Sequence, residues 1–495
     1  MPGQFHALVY SILALLAVSC VQTLRQWRWK RFQQFSHVPQ AGKPSFLRGH
    51  RKVLDGLFRK DQVMMDACKE IGNPPMLLFD LRPMIPPMLM IFDWEVAEQI
   101  TKSSPTWTSS CPKSPTMHPI YHLTGKRSIL VSNGEEWRQQ RRKLNPGFAP
   151  QHLMTLLPTI LDKTTVFLQR LDGFCETGEE FRMDEICGAL TFDIIGAVST
   201  GLEFKAQVQG QHHEIVFAFQ RLHAQYVNYR RRNMPFLNWT TSLRSHHLQQ
   251  AKSRDVLALS LEGTEELTPE LLQVTSDNLR SFLFAGHDTT SILLQWAIYE
   301  LSRSPRQRQS LCAELEELLG SDTDPAATRE KLLRQPDILN RMPYTAAVIK
   351  ETLRLYPPAG SVRMSPPGTG LQLRLPNGEY MAADGVSMMI SPGQLQRDPS
   401  VCGETAHDFL PERWLNDASS IPAGAWRPFE RAPRGCIGQE LANIEAKIIL
   451  ACVARRASVQ LRQRYFKTKS TLFNSTQIIA KPVDRTVMKV GFKQY

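Results

Sequence analysis

Phe429-Glu430-Arg431-Ala432-Pro433-Arg434-Gly435-Cys436-Ile437-Gly438 reads as a loop, punctuated by proline and glycine and carrying one cysteine near its end. Alone, such a cysteine would be an ordinary small buried side chain. Nine cysteines in 495 residues make no disulfide scaffold, and no short-spaced Cys-x-x-Cys pair offers a structural zinc site. The other motifs in the chain change that reading. Upstream, Glu351-Thr352-Leu353-Arg354 sets a carboxylate and a guanidinium on one helical face at i,i+3, and Pro357-Pro358 stops the helix directly afterwards. An isolated pair of this kind is ordinarily a surface salt bridge. Trp137 and Arg141, in WRQQRRKLNPGF, share a helix face at i,i+4. Ala285-Gly286-His287-Asp288-Thr289-Thr290 falls inside a long helical candidate that opens at Thr268-Pro269-Glu270 and reaches about Arg303. Taken alone, that polar stretch is a locally hydrogen-bonded kink interrupting the helical pattern.

In this order and spacing the four pieces resemble the cytochromes P450. The resemblance is carried from about Trp137 to Gly438 and implies a mainly α fold with a minor β region around one cysteine-ligated haem b. It makes Cys436 the iron ligand, a thiolate suited to donating electron density to the metal. Arg434 and, from a looser match after Pro357-Pro358-Ala359-Gly360, Arg363 become partners of the haem propionates, as do Trp137 and Arg141. Phe429 packs near the ligand loop, and backbone N–H groups after Cys436 donate to its sulfur. Glu351, Arg354 and Arg413 of Pro411-Glu412-Arg413-Trp414 form a structural ion-pair network. Gly286 leaves room beside bound dioxygen, Thr289 delivers protons and Asp288 orients that relay. His287 is a packing or water-contacting residue, not a second ligand. Three departures from the family pattern stand out: Ala432 replaces a usual glycine, Gln396 a usual histidine, and Cys402 a position often held by an aromatic residue.

Ala7–Val21 is uncharged and mostly apolar, about 23 Å long as a helix against about 30 Å of bilayer core, and the flanking His6, Gln22 and Thr23 can extend it. Arg25, Arg28, Lys30 and Arg31 follow, interleaved with Trp27 and Trp29, as an interfacial collar. No lysine or arginine precedes the run, which argues against a cleaved signal peptide. The positive-inside bias keeps the basic side cytosolic. The expected organisation is therefore an anchor and basic flank over 1–32, a Pro/Gly-containing linker over 33–50, and a catalytic domain over 51–495, held at the endoplasmic reticulum membrane. On that topology the acceptor patterns at Asn238 and Asn474 stay unglycosylated.

The formal net charge of +12 specifies no partner by itself, and no recognition module for nucleic acid accompanies it. The sequence patterns predict helices over 134–143, within 153–171, over 344–355 and near 439–454, and a strand-like stretch over 371–386 broken by Pro376-Asn377-Gly378. The pocket is expected from 110–130, 213–237, Phe282 and Ala285, 359–362, and Leu472-Phe473. The resemblance implies a monooxygenase that inserts one oxygen atom into a lipophilic small molecule, in the manner of fungal microsomal members acting on secondary metabolites. NADPH-derived electrons would come from a separate diflavin reductase, with cytochrome b5 as a further donor. Desaturation or oxidative coupling is the alternative outcome. A peroxide-driven or isomerising enzyme, or a non-enzymatic haem protein, fits Thr289 less well.

Overall fold

The computed structural model describes residues 2–50, 66–80, 82, 86–107, 109–229, 255–264, 266–416, 420–431, 433–461 and 487–492. Ala432, Asn238, Asn474, Leu472-Phe473 and residues 230–237, all singled out above, lie outside them.

Helix α1 runs from Pro2 to Phe32, well beyond the apolar run itself. Further helices that position the site are α2 (Gly134–Leu144), α3 (Leu157–Thr177), α4 (Met183–Thr200), α5 (Pro269–Arg303), α6 (Pro343–Leu355) and α7 (Gln439–Arg456). The expected helix over 153–171 is two helices. Pro150–Thr155 ends at Leu156, and the proline at 158 lies in the first turn of α3, where its missing N–H costs nothing.

Among the described residues nine strands form three small sheets. They are β1 (Met76–Phe79), β2 (Met88–Ile91), β3 (Phe181–Arg182), β4 (Ser361–Met364), β5 (Gln372–Arg374), β6 (Tyr380–Ala382), β7 (Ser387–Ile390), β8 (Ala457–Leu461) and β9 (Val487–Phe492). The first sheet has the order β1-β2-β7-β4, parallel only between β2 and β7. Its β1 is buried at every position, as its unbroken Met-Leu-Leu-Phe run requires. The stretch over 371–386 contains the β5–β6 hairpin, with its turn at Pro376-Asn377-Gly378 and Gly378 at φ +85°.

Helix α5 is the axis of the main core. Thr268 caps it by accepting from the Leu271 N–H at 3.2 Å, and Pro269 occupies its first turn. The interruption expected at 285–290 does not occur. The helix continues through this polar stretch, where Thr289 Oγ1 donates to the Ala285 carbonyl at 2.7 Å within the helix.

Helix α4 crosses against this stretch, and that contact changes the account of Gly286. A Cβ at Gly286 would lie 2.6 Å from Ile195 Cγ1 of α4, so the missing side chain serves close helix packing. Its backbone still borders the cavity described below. Thr191 Oγ1 donates to the His287 carbonyl at 2.8 Å, tying the same two helices together.

Residues 33–50 do not hang free as a linker. Leu78 N–H donates to the Pro39 carbonyl at 2.8 Å, and Val38 and Ala41 are buried against the first sheet. Arg31, assigned above to the interfacial collar, is buried in the catalytic body, because Asp80 at the end of β1 supplies its counter-charge.

Gly286→Ala should destabilise the fold by about 1–3 kcal/mol through overpacking. Combining it with Ile195→Ala should cost clearly less than the sum of the two single changes, read by chemical denaturation in a double-mutant cycle. Additive losses would show that the two residues do not share this contact.

Candidate active site

The cysteine loop is positioned by a buried charge. Glu351 and Arg354 of α6 are both almost wholly buried and pair through two parallel hydrogen bonds, Nε to Oε2 at 2.9 Å and Nη2 to Oε1 at 2.8 Å. Arg354 spends its remaining donors on the carbonyls of Gln396, Ala406 and Asp408, at 3.1, 2.6 and 3.0 Å. Arg413 Nε approaches Glu351 Oε1 at 3.5 Å, and Trp414 Nε1 donates to Glu351 Oε2 at 2.9 Å. Thus α6 gathers the segment 396–414 around itself. Trp414 is a member of this network that the sequence reading passed over.

Gln396 carries the network onward. Its amide N–H2 donates to the Leu353 and Arg354 carbonyls, both at 3.0 Å, and its Oε1 accepts from the Arg427 N–H at 2.7 Å. The departure from histidine therefore leaves a buried side chain with three hydrogen bonds. Cys402 is buried too, and its thiol donates to the Gln396 carbonyl at 3.5 Å. Arg427 then reaches Glu430 at 2.8 Å through Nε, which holds Glu430 in the left-handed region at φ 56°. From there the chain turns towards Cys436, whose N–H donates to the Phe429 carbonyl at 2.8 Å and closes the loop.

Cys436 opens onto an internal cavity of about 260 Å³, which it lines together with Phe429, Arg434, Ala285, Gly286 and Thr289. Most of the remaining wall is apolar, including Leu130, Phe148, Ile195, Phe282 and Ile390. Burial pushes the Cys436 thiol up, while a hydrogen bond from the Gly438 N–H and the Arg141 charge act in the opposite direction.

The expected cofactor residues divide into three groups. Cys436, Phe429 and Arg434 are at the wall. Trp137 and Arg141 do not reach it and brace the loop from behind. The Arg434 guanidinium lies 4.4 Å from the Trp137 ring centroid, and Arg141 Nη1 donates to the Gly435 carbonyl at 2.6 Å. Arg434 also donates to the Ser132 carbonyl at 3.0 and 2.9 Å. Arg363 is wholly buried and sits behind the wall, with no partner for Nε, Nη1 or Nη2 among the described residues.

Lys113, within the expected pocket stretch 110–130 and bridged to Arg363 through the backbone, is at the wall. Burial, then Arg363 and Arg434, hold Lys113 well below the usual lysine range. Burial, then Arg363 and Arg141, likewise lower Arg434. Glu430, the carboxylate among them, is already engaged by Arg427. Glu445 of α7 also reaches the wall, and burial pushes its carboxyl well up.

The relay residues face different ways. Thr289 faces the cavity. Asp288 is buried, with Oδ1 3.2 Å from His287 Nδ1. His287 packs edge-on against Phe192 and Phe219, with ring centroids at 5.3 and 5.9 Å.

The family model Cytochrome P450 matches residues 39–252 and 236–484. The chain belongs to that family. It is similar to the cytochrome P450 monooxygenase acrF of Aspergillus aculeatus, with 32% identity covering 79% of this chain and 85% of the relative. The cytochrome P450 monooxygenase polC of Polytolypa hystricis is 29% identical, covering 86% of this chain and 80% of that one. A bifunctional cytochrome P450/NADPH–P450 reductase of Aspergillus oryzae is 26% identical over 66% of this chain and 31% of its own length. The protein is a P450 monooxygenase, an oxidoreductase whose cofactor is haem b. The site suits that cofactor on its own chemistry, because a thiol faces the cavity and uncompensated cations gather at one end, as two propionates require.

Arg363→Met should leave expression unchanged and speed transfer of haem to apomyoglobin by roughly 5- to 150-fold, corresponding to about 1–3 kcal/mol of lost charge-assisted bonding. An unaltered transfer rate would make Arg363 a structural residue only.

Proposed function

We propose that this chain is a membrane-anchored haem-thiolate monooxygenase that inserts one oxygen atom from O2 into a lipophilic small molecule of the kind made in fungal secondary metabolism. Its electrons derive from NADPH through a separate diflavin reductase, with cytochrome b5 as a further donor. The observation that carries this reading is the placement of Cys436 and Thr289 on one mostly apolar cavity.

Bound in that cavity, haem b supplies dioxygen activation and oxygen insertion. Cys436 Sγ would ligate the iron. Lys113 and Arg434, with Arg363 behind them, would hold the propionates. Burial opposes the Cys436 thiolate, and the Gly438 N–H and the Arg141 charge are the groups of this chain that favour it. The apolar wall excludes water and favours a substrate without charge.

Thr289 spends its hydroxyl proton on Ala285, which leaves its oxygen lone pairs to accept from a water in the cavity. Rotating the hydroxyl away from Ala285 frees the donor, so one side chain can first hold a water and then pass a proton. Asp288 supports this from the buried side, beside His287, and is not part of the cavity wall. Arg142 and Lys143 are exposed on α2, the helix that braces the cysteine loop, and offer a basic face to an acidic flavin domain.

One described helix, Phe5–Phe32, is long and apolar enough to cross a membrane, with a mean hydropathy of 2.0 over its most apolar window and none of that window buried. Arg25, Arg28 and Lys30 near its end support a cytosolic catalytic body, held on this proposal at the endoplasmic reticulum membrane.

Carbon monoxide bound to the reduced holoenzyme should give the thiolate-type Soret band, which Cys436→Ser abolishes. Thr289→Ala should keep the band while lowering product formed per NADPH by about tenfold or more and raising peroxide correspondingly. Product and peroxide both unchanged would remove Thr289 from proton delivery. Product formed with peroxide and no reductase would favour a peroxide-driven enzyme.

A further inference from the structure

The first 54 residues contain eight lysines and arginines and no aspartate or glutamate. Within that acid-free stretch, the end of α1 is fastened to the catalytic body. Arg31 Nη1 lies 2.9 Å from Asp80 Oδ2, with the two side chains 1% and 2% exposed. Arg31 Nε donates to the Phe46 carbonyl at 3.2 Å, and Nη2 to the Arg82 carbonyl at 2.5 Å. Arg82 closes the arrangement from the other side, donating to Asp80 Oδ1 and Oδ2 at 2.9 and 2.8 Å and to Gln34 Oε1 at 2.9 Å. It also bonds the Lys30 carbonyl. Burial pushes the Asp80 carboxyl up, but Arg82 and Arg31 outweigh it and hold it below the usual carboxylate range. The membrane helix is thereby joined to the end of β1 by a buried, multiply bonded ion pair.

The same fastening carries a loop. Ser45 and Gly49 exchange backbone hydrogen bonds at 3.0 and 2.9 Å, and Trp27 Nε1 of α1 donates to the Phe46 carbonyl at 3.1 Å. Phe32 stacks on Phe46 with ring centroids 6.3 Å apart. Gly49 has φ +56°, and a Cβ there would fall 2.0 Å from the Asp80 carbonyl oxygen and 2.4 Å from Arg31 Nη1, so the turn closes only with glycine. At its tip Leu47 is 70% exposed, with Phe46, Phe32 and Trp29 exposed nearby. Lys43 and Arg48 flank the tip and are exposed too. An apolar tip in a basic stretch of chain without acidic residues suits the boundary between headgroups and acyl chains of an anionic membrane.

We propose that residues 43–48 are a second lipid-contacting foot, coupled to the anchor through Arg31 and Asp80, which stands the catalytic body at one fixed attitude on an anionic membrane surface. This rests on α1 being the membrane anchor. A flexible tether would let the body turn freely. Here the helix, the foot and the first sheet move as one piece.

The test uses full-length holoenzyme in nanodiscs of phosphatidylcholine with phosphatidylserine, with photoreactive benzoylphenylalanine replacing Leu13, Leu47 or Leu415. Lipid adducts are expected from positions 13 and 47 and none from 415. The adduct at 47 should fall at least threefold when phosphatidylserine is omitted, or when Lys43→Glu and Arg48→Glu are combined, while that at 13 holds. An adduct at 13 without one at 47 overturns the foot, and an adduct at 47 indifferent to lipid charge overturns the anionic surface. No adduct at 13 overturns the anchor itself. Arg31→Gln leaves Asp80 paired with Arg82, so haem binding and the adduct at 13 should persist while the adduct at 47 drops at least threefold. An unchanged yield at 47 in that variant overturns the coupling.

Discussion

Glu351 has no access to water, and its carboxylate must be satisfied by protein groups alone. Two donors come from Arg354, one from the Leu410 N–H at 3.1 Å and one from Trp414 Nε1. Arg354, equally buried, then needs carbonyls for its remaining N–H groups and takes them from 396, 406 and 408. Removing either partner would strand a charge at a cost of about 3–5 kcal/mol, so the pair cannot loosen gradually. Its bonds are directional, and they fix the register of a long irregular segment that apolar packing would leave free to slide. Everything downstream inherits that register. Gln396 is set by α6, Arg427 by Gln396, Glu430 by Arg427, and the cysteine loop by the turn at Glu430.

This order of dependence explains how the chain tolerates its departures from the family pattern. A histidine-to-glutamine exchange at 396 preserves what that position needs, which is a donor for α6 carbonyls and an acceptor for the Arg427 N–H. At 402 the thiol donates to the Gln396 carbonyl, and the Arg413 guanidinium reaches the Cys402 backbone carbonyl at 3.1 Å. The function of the segment lies in its hydrogen-bond geometry more than in the identity of each side chain.

The parts that were legible in the sequence have local causes. Thr268-Pro269-Glu270 starts α5, Pro357-Pro358 follows the end of α6, and Pro376-Asn377-Gly378 turns the β5–β6 hairpin, because caps, prolines and glycines act on their own neighbours. The cysteine loop was legible through a resemblance that joins four distant motifs. What stayed hidden depends on partners far along the chain. Lys113 matters because a bridge sets it beside Arg363, and Arg31 leaves the membrane collar because Asp80 awaits it. Gly286 borders the cavity, but its close approach to Ile195 on another helix could not be read from its own neighbours. Spacing shows which residues share a face and is silent on what that face meets.

The same long-range placement would sort the two ligands of the proposed function within one cavity. Glu430, the carboxylate beside the cations at the wall, is held by Arg427, so Arg434 and the buried Arg363 keep an excess of positive charge. An uncharged apolar substrate cannot offset that excess, whereas a group bearing two carboxylates can. The other walls, with Phe148, Phe282, Ile195 and Ile390, offer a carboxylate nothing in return for its lost hydration. On the proposed function, charge balance alone would direct cofactor and substrate to opposite chemistry, and Thr289 is the hydroxyl that the long helix brings to the cavity.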